Sequence, residues 1–239
     1  MKRKMRPITD KRISLIKESH KYVLKGHPEL EFSSVTTEVE KYFEPFDEVA
    51  IATNLCSTHH NYIGMDPADL IAEWHAARDH GSKVHDEIEL FLKEGIEPSE
   101  SKTRMALQWL KKYCMKSDIE ILPEVIIYST ELKVAGTVDI LAYDKTAGVY
   151  EIIDWKTSKK IEIVSYGGKM GIHHITADLM DCNHNHYAMQ LSFYRYLLEE
   201  FYGIKVRNQM IAHLQNEVCT SYITPYYNEH ISAITAALN

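Results

Sequence analysis

Apolar positions change their spacing several times along this chain, and each change marks a different kind of element. From Asp66 to Glu94 they recur at Leu70, Ile71, Trp74, Val84, Ile88, Phe91 and Leu92, the three-to-four residue spacing of one helical face. Asp66 as N-cap and Pro67 at the first helical position fix the start of this helix. Gly81 lies inside it, where glycine costs about 1 kcal/mol relative to alanine, so it marks a close approach or a kink. A second helix fits Lys102 to Met115. The pattern then turns to short runs of branched residues, Ile119 to Tyr128, Leu132 to Tyr143 and Val149 to Thr157, which predict an antiparallel meander with Asp144 to Gly148 as a hairpin loop. A helix from His186 to Phe201 and a strand from Val206 to Leu214 follow. Upstream, a short strand near Tyr22 to Leu24 precedes an amphipathic segment, Ser34 to Phe43, that Pro45 ends.

The order helix, strands, helix, strand predicts an α/β domain whose central mixed sheet is flanked by helices. With 239 residues, 45% of them hydrophobic, the chain can close one sizeable core, or one core plus a small lobe. No repeat or Pro/Gly-rich linker divides it, so 1–239 reads as a single domain: an N-terminal extension (1–65), a helical region (66–118) and a core (119–239). No apolar run approaches the roughly 18 residues of a membrane span. The basic N-terminus lacks the apolar stretch of a signal peptide, which predicts a cytoplasmic or other intracellular protein with no membrane partner. Cys56, Cys114, Cys182 and Cys219 lie far apart and predict reduced thiols.

The chemistry concentrates in the meander. Side chains two apart on a strand share a face, so Asp154 and Lys156 project together while Ile153 and Trp155 point the other way. If Tyr143 and Tyr150 close the hairpin opposite each other, the same register sets Asp139 opposite Asp154. Directly opposed Cβ atoms lie about 4.5–5.5 Å apart, and like charges there destabilise a sheet unless a cation sits between them. That geometry suits phosphodiester hydrolysis, with Asp139, Asp154 and the carbonyl of Trp155 as ligands of a hard divalent cation, Mg2+ or Mn2+. Lys156 on the same face would act on the attacking water or on charge at phosphorus. On spacing alone, a surface hairpin with a cross-strand salt bridge is the competing reading.

Gly136-Thr137-Val138-Asp139 and Ile152-Ile153-Asp154-Trp155-Lys156-Thr157 resemble the G-x-x-D and (D/E)-x-K motifs of PD-(D/E)XK nucleases, especially RecB-type exonucleases. Gly81-Ser82-Lys83-Val84-His85, followed by Glu89, resembles that family's first motif, whose helix-borne histidine binds the metal. Gln190 through Tyr194 is similar to its Q-x-x-x-Y helix, and Glu124 stands where members often carry an acid one strand before G-x-x-D. The resemblance covers residues 70 to 215 and includes phage and viral members and the mitochondrial genome maintenance exonucleases. It implies a restriction-endonuclease-like core, with Asp139, Asp154 and Lys156 catalytic, His85 a metal ligand, and Glu124, Gln190 and Tyr194 in support. The tight C-terminal cysteine cluster of iron–sulfur members is missing, which predicts no iron–sulfur cluster. No Walker-type sequence is present, so a helicase or recombination partner would be a separate chain.

Charge is the last constraint. The net charge of −7 gives no general attraction to DNA, so binding would rest on local basic segments. Residues 2 to 12 carry Lys2, Arg3, Lys4, Arg6, Lys11 and Arg12 against Asp10, and residues 102 to 116 carry five cations and no acid. Lys111, Lys112 and Lys116 are expected phosphate contacts, with Lys159, Lys160, His186 and Tyr187 as further DNA contacts nearer the motifs. The histidines around His173, His174, Cys182, His184 and His186 match no standard zinc spacing. The expected substrate is DNA, single-stranded or with a free end, and the leading function an exonuclease. A structure- or sequence-specific endonuclease and a catalytically inactive nucleic-acid-binding protein are the alternatives.

Overall fold

The computed structural model describes residues 5–238. Two short strands, β1 (Ile13–Ile16) and β2 (Lys21–Leu24), pair as an antiparallel hairpin. After β3 (Ser33–Ser34) come four helices, α1 (Val35–Glu40), α2 (Glu48–Thr58), α3 (Pro67–Glu94) and α4 (Ser101–Cys114). The meander follows as β4 (Ile119–Ser129), β5 (Val134–Asp144) and β6 (Val149–Lys156). Helix α5 (Asn183–Tyr202) then crosses to β7 (Val206–Leu214), and β8 (Cys219–Ile223) and α6 (Asn228–Leu238) complete the chain.

The sheet is mixed, as the segment order predicts. β5 pairs antiparallel with β4 and with β6, β6 pairs parallel with β7 across the α5 connection, and β8 closes one edge. β3 adds a short parallel pairing at the far end of β5. β4 is the other edge, and Pro123 is tolerated there because no further ladder needs its missing N–H. One face packs Leu141, Ile152 and Ile211 against α1, α5 and α6. The opposite face packs Ile140, Ile153, Trp155 and Ala212 against α3 and α4. No helix among the described residues is long and apolar enough to cross a membrane.

Helix α3 runs unbroken through Gly81, with Asp66 accepting from the Ala68 N–H as its N-cap. Gly81 therefore marks a close approach: a Cβ there would stand 2.8 Å from Thr157 Oγ1, just beyond β6. Of the basic N-terminal stretch, Lys2, Arg3 and Lys4 lie outside the described residues. Arg6 donates to the Tyr128 carbonyl at 2.8 Å, and Asp10, paired with Arg12 at 2.7 Å, accepts from the Tyr128 hydroxyl at 2.7 Å, so segment 6–12 is tied to β4.

Regular alternation fails at one level of the sheet. On β4, Ile119 and Ile121 face the α3/α4 side, whereas Val125 and Ile127 face the α1/α5 side. Glu124, between them, has a left-handed φ of 51°, a conformation that side chains rarely adopt. β5 inverts at the same level, because Val138 and Ile140 pack on opposite faces. Asp139 sits at that inversion. Three residues earlier, Gly136 faces α5, and a Cβ there would meet the Tyr194 ring at 2.5 Å. Replacing Gly136 by alanine must therefore displace Tyr194 or the strand, and we expect a loss of about 1–3 kcal/mol in urea-unfolding stability.

Candidate active site

The hairpin register is the one that the sequence implies. Tyr143 stands opposite Tyr150 with rings stacked at 4.6 Å, and the ladder continues to Ile140 opposite Ile153. It stops one pair short of Asp139 and Asp154. There Asp139 turns aside: its Oδ2 accepts from the Trp155 N–H at 2.8 Å and lies 3.3 Å from His85 Nδ1. A residue's N–H and C=O point to the same side of a strand, so the Trp155 carbonyl also faces the end of β5.

Glu124 comes to the same place from β4. The pairs Pro123 with Ile140 and Val125 with Val138 leave it facing Asp139. His85, Glu124 and Asp139 each offer a ligand atom within 4.8 Å of the others, and among the described residues they form the one such cluster. Asp154 is buried and turned toward Lys156, its Oδ2 2.6 Å from Lys156 Nζ at angles outside hydrogen-bond geometry. Lys156 is further held by Gln190 Oε1 at 3.4 Å and lies over the Tyr187 ring at 4.6 Å. Gln190 in turn donates to Tyr194 at 2.9 Å, the i to i+4 pairing expected of one helical face. The helices thus bring their motif residues to the sheet end from its two faces, His85 from α3 and Gln190 with Tyr194 from α5.

Burial and charge set the protonation states. Burial opposes a charge on His85, but the adjacent Asp139 carboxylate outweighs it and pushes the imidazole up to about 9. Burial also pushes Glu124 up, reinforced by Asp139, to about 8. Asp139 itself stays below the usual carboxylate range: burial would raise it, yet His85, Lys156 and the Trp155 N–H together prevail. Burial raises Asp154 against the pull of Lys156, and Lys156 is held above the usual lysine range by Asp154 and Asp139 despite its burial.

These groups line a cleft of about 830 Å3. Lys102, Lys159 and Tyr187 line it as well, with Lys17, His20 and Tyr22 of the β1–β2 hairpin on its wall. The hairpin contribution is not legible in the motifs. It depends on Tyr22 Oη meeting Thr137 Oγ1 at 3.0 Å and on Lys17 bridging to Asp86 and Glu89 of α3, contacts 69 to 115 residues apart in sequence. The remaining expected DNA contacts lie elsewhere. Lys111 and Lys112 are exposed in the last turn of α4, about 14–15 Å along the helix from Lys102, and exposed Lys116 follows that helix. His186 packs on Phe43 at 4.1 Å and bonds Asp181 at 2.8 Å, and Lys160 is exposed beyond β6.

No protein-family model matches the chain. Over 101 residues, 41% of its length, it is 30% identical to an ATP-dependent helicase/nuclease subunit of Carboxydothermus hydrogenoformans, and it spans only 7% of that protein. Among solved structures it is similar to a candidate exonuclease from Eubacterium rectale, with a TM-score of 0.36 and 14% identity over 86% of this chain and 77% of the other. It is also similar to an alkaline exonuclease from Laribacter hongkongensis, with a TM-score of 0.33 and 11% identity over 87% of each chain. The reading of the site therefore rests on its own geometry.

The raised carboxylate and imidazole give the metal-free protein a definite pH dependence. Both folded pKa values, about 8 for Glu124 and about 9 for His85, lie above their ordinary values of 4.5 and 6.5. The stability they contribute is complete below those ordinary values and lost as pH rises through the folded ones. Thermal unfolding of the metal-free protein should show Tm falling between pH 5 and 9. Glu124→Gln should flatten the part of the fall below pH 8 and raise Tm at pH 8 by several degrees. Parallel curves for wild type and variant would contradict the assigned environment of Glu124.

Proposed function

We propose that the chain is a metal-dependent deoxyribonuclease of the PD-(D/E)XK type, and an exonuclease that acts on single-stranded DNA or DNA ends. The observation that carries this reading is the convergence of His85, Glu124 and Asp139 beside the Asp154–Lys156 pair at one end of a mixed sheet. A binding surface has no use for buried carboxylates next to a phosphate, whose charge they would repel. The donor set fits a divalent cation: oxygen ligands and one imidazole suit Mg2+ or Mn2+. One further feature agrees: the Glu124 carboxyl is driven up by its burial and by the Asp139 carboxylate beside it, a penalty that a cation would relieve.

His85, Glu124 and Asp139 would hold the ion, with Asp154 and the Trp155 carbonyl beside them. Bound there, a divalent cation supplies Lewis-acid polarisation of a phosphoryl oxygen and lowers the pKa of water. The protein's own contribution is positional. The Lys156 ammonium, fixed by Asp154, Gln190 and Tyr187, is placed to orient the attacking water and to offset charge growing on the phosphorane oxygens. His85 holds Asp139 from the α3 side, and the Trp155 N–H fixes its remaining freedom.

The cleft supports a single strand as substrate. Its volume is that of an ordinary ligand pocket, about 300–1,000 Å3, and Lys159 and Tyr187 on its lining are a cation and an aromatic ring of the kind that hold the phosphates and bases of a single strand. Cleavage of end-labelled single- and double-stranded DNA with and without Mg2+ or Mn2+ tests the reading. Wild type should degrade single strands only with metal, and Asp139→Asn and Asp154→Asn should each lose at least about 100-fold in rate. Lys156→Ala should lose turnover to a similar degree while calorimetry finds Mn2+ binding retained. Full activity in either asparagine variant would overturn the metal site. The outlying lysines have a separate test: changing Lys111, Lys112 and Lys116 together to Gln should lower the slope of log K against log salt by up to about 0.7–0.9 per lost contact. An unchanged slope would leave that helix end a solvated face.

A further inference from the structure

We infer that Lys102 and His213 are positioning residues that fix Lys156 by pinning the two backbone carbonyls that follow it. Their kinetic role rests on the nuclease reading above. The need for such pins comes from the sheet. The β5–β6 ladder ends at Ile153, so beyond it β6 is held laterally by β7 and by the single Trp155 N–H bond to the Asp139 side chain, and the β7 ladder ends at Lys156 opposite His213. Beyond this pair, regular pairing gives Thr157 and Ser158 nothing to hold them.

Two side chains from different elements replace the ladder. Lys102, in the first turn of α4, donates from Nζ to the Thr157 carbonyl at 3.0 Å. His213, fully buried on β7, meets the Ser158 carbonyl through Nε2 at 2.6 Å. A carbonyl can only accept, so His213 carries its proton on Nε2 in this contact. Its Nδ1 is buried without a partner. Leaving such an atom unsatisfied costs about 1–3 kcal/mol, a cost without return unless the other nitrogen does something useful. The third restraint is packing, because Thr157 Oγ1 lies so close to α3 that a Cβ on Gly81 would stand 2.8 Å from it. Helix α3, helix α4 and strand β7 thus converge on two consecutive residues directly after Lys156.

The position matters because an ammonium acting on water and phosphorus must be placed closely. A misplacement of about 1 Å can cost about 100-fold in rate. Lys102 belongs to the acid-free stretch that charge alone marks as a phosphate contact, and it lines the cleft. The structure assigns its ammonium to protein backbone instead.

The experiment compares Lys102→Met, Lys102→Arg, His213→Leu and His213→Gln. Each is measured for kcat and KM on a single-stranded oligonucleotide with Mg2+, for the salt slope of binding, and for amide hydrogen exchange in residues 157–160. Lys102→Met and His213→Leu should lower kcat by about 10–100-fold with KM and salt slope unchanged, and should speed exchange at 157–160 but not in α5. Lys102→Arg and His213→Gln keep a donor and should recover most of the rate. Should His213→Leu fail to fold, its Gln counterpart and the Lys102 pair carry the test. Unchanged exchange at 157–160 in both donor-less variants would overturn the proposal. So would a Lys102→Met protein with normal kcat and a salt slope reduced by about 0.7–0.9, the mark of a lost phosphate contact. A wild type that cleaves no phosphodiester would defeat the nuclease reading, and the exchange data would still decide the pins.

Discussion

Glu124 and Asp139 face each other across neighbouring strands at the level where both strands lose their alternation, half-buried in the cleft wall where water screens them only in part. Like charges so placed work against a sheet. The surrounding structure answers that conflict. Glu124 takes a left-handed backbone conformation, Asp139 turns off its ladder toward the Trp155 N–H, and His85 approaches from α3 as a counter-charge. Lys156 plays the same part toward Asp154. Such an arrangement is tolerable with protons in place of some charges, and it becomes favourable once a divalent cation supplies the missing positive charge.

Close approach of the helices is the second requirement, and two glycines permit it. Gly81 lets α3 lie against Thr157, which brings His85, one turn later, within reach of Asp139. Gly136 leaves room for the Tyr194 ring, which sets α5 down on β5 and delivers Gln190 to Lys156. Neither glycine has a positive φ, so their function here is space and not backbone freedom. The chain crosses from β6 to β7 through α5, and the parallel pairing that results buries β6 on both sides just before its charged end.

Much of this is legible in the sequence where the signal is local. The α3 boundaries follow from Asp66 and Pro67, and the tyrosine register follows from counting back from a short loop, which is why the positions of Asp139 and Asp154 can be anticipated. The pairing of Gln190 with Tyr194 is likewise a matter of helical spacing. Elements whose existence depends on distant partners are not legible. β1, β3 and β8, of four, two and five residues, carry too little periodicity to stand out. Sequence alone ranks Glu124 as a supporting acid, because strand spacing says nothing of an inversion that needs two strands to define it. Charge alone groups Lys102 with Lys111 and Lys112, whereas helical rise carries those two away from the cleft.

The central claim is that these crowded carboxylates exist to share a cation with His85. Crystals grown with Mn2+ and measured at the manganese absorption edge test it directly, because the anomalous signal locates the ion without reference to activity. The account predicts a peak bounded by His85, Glu124 and Asp139, and its loss in Asp139→Asn. A well-ordered site with no peak there, or an ion bound elsewhere that survives Asp139→Asn, would contradict it.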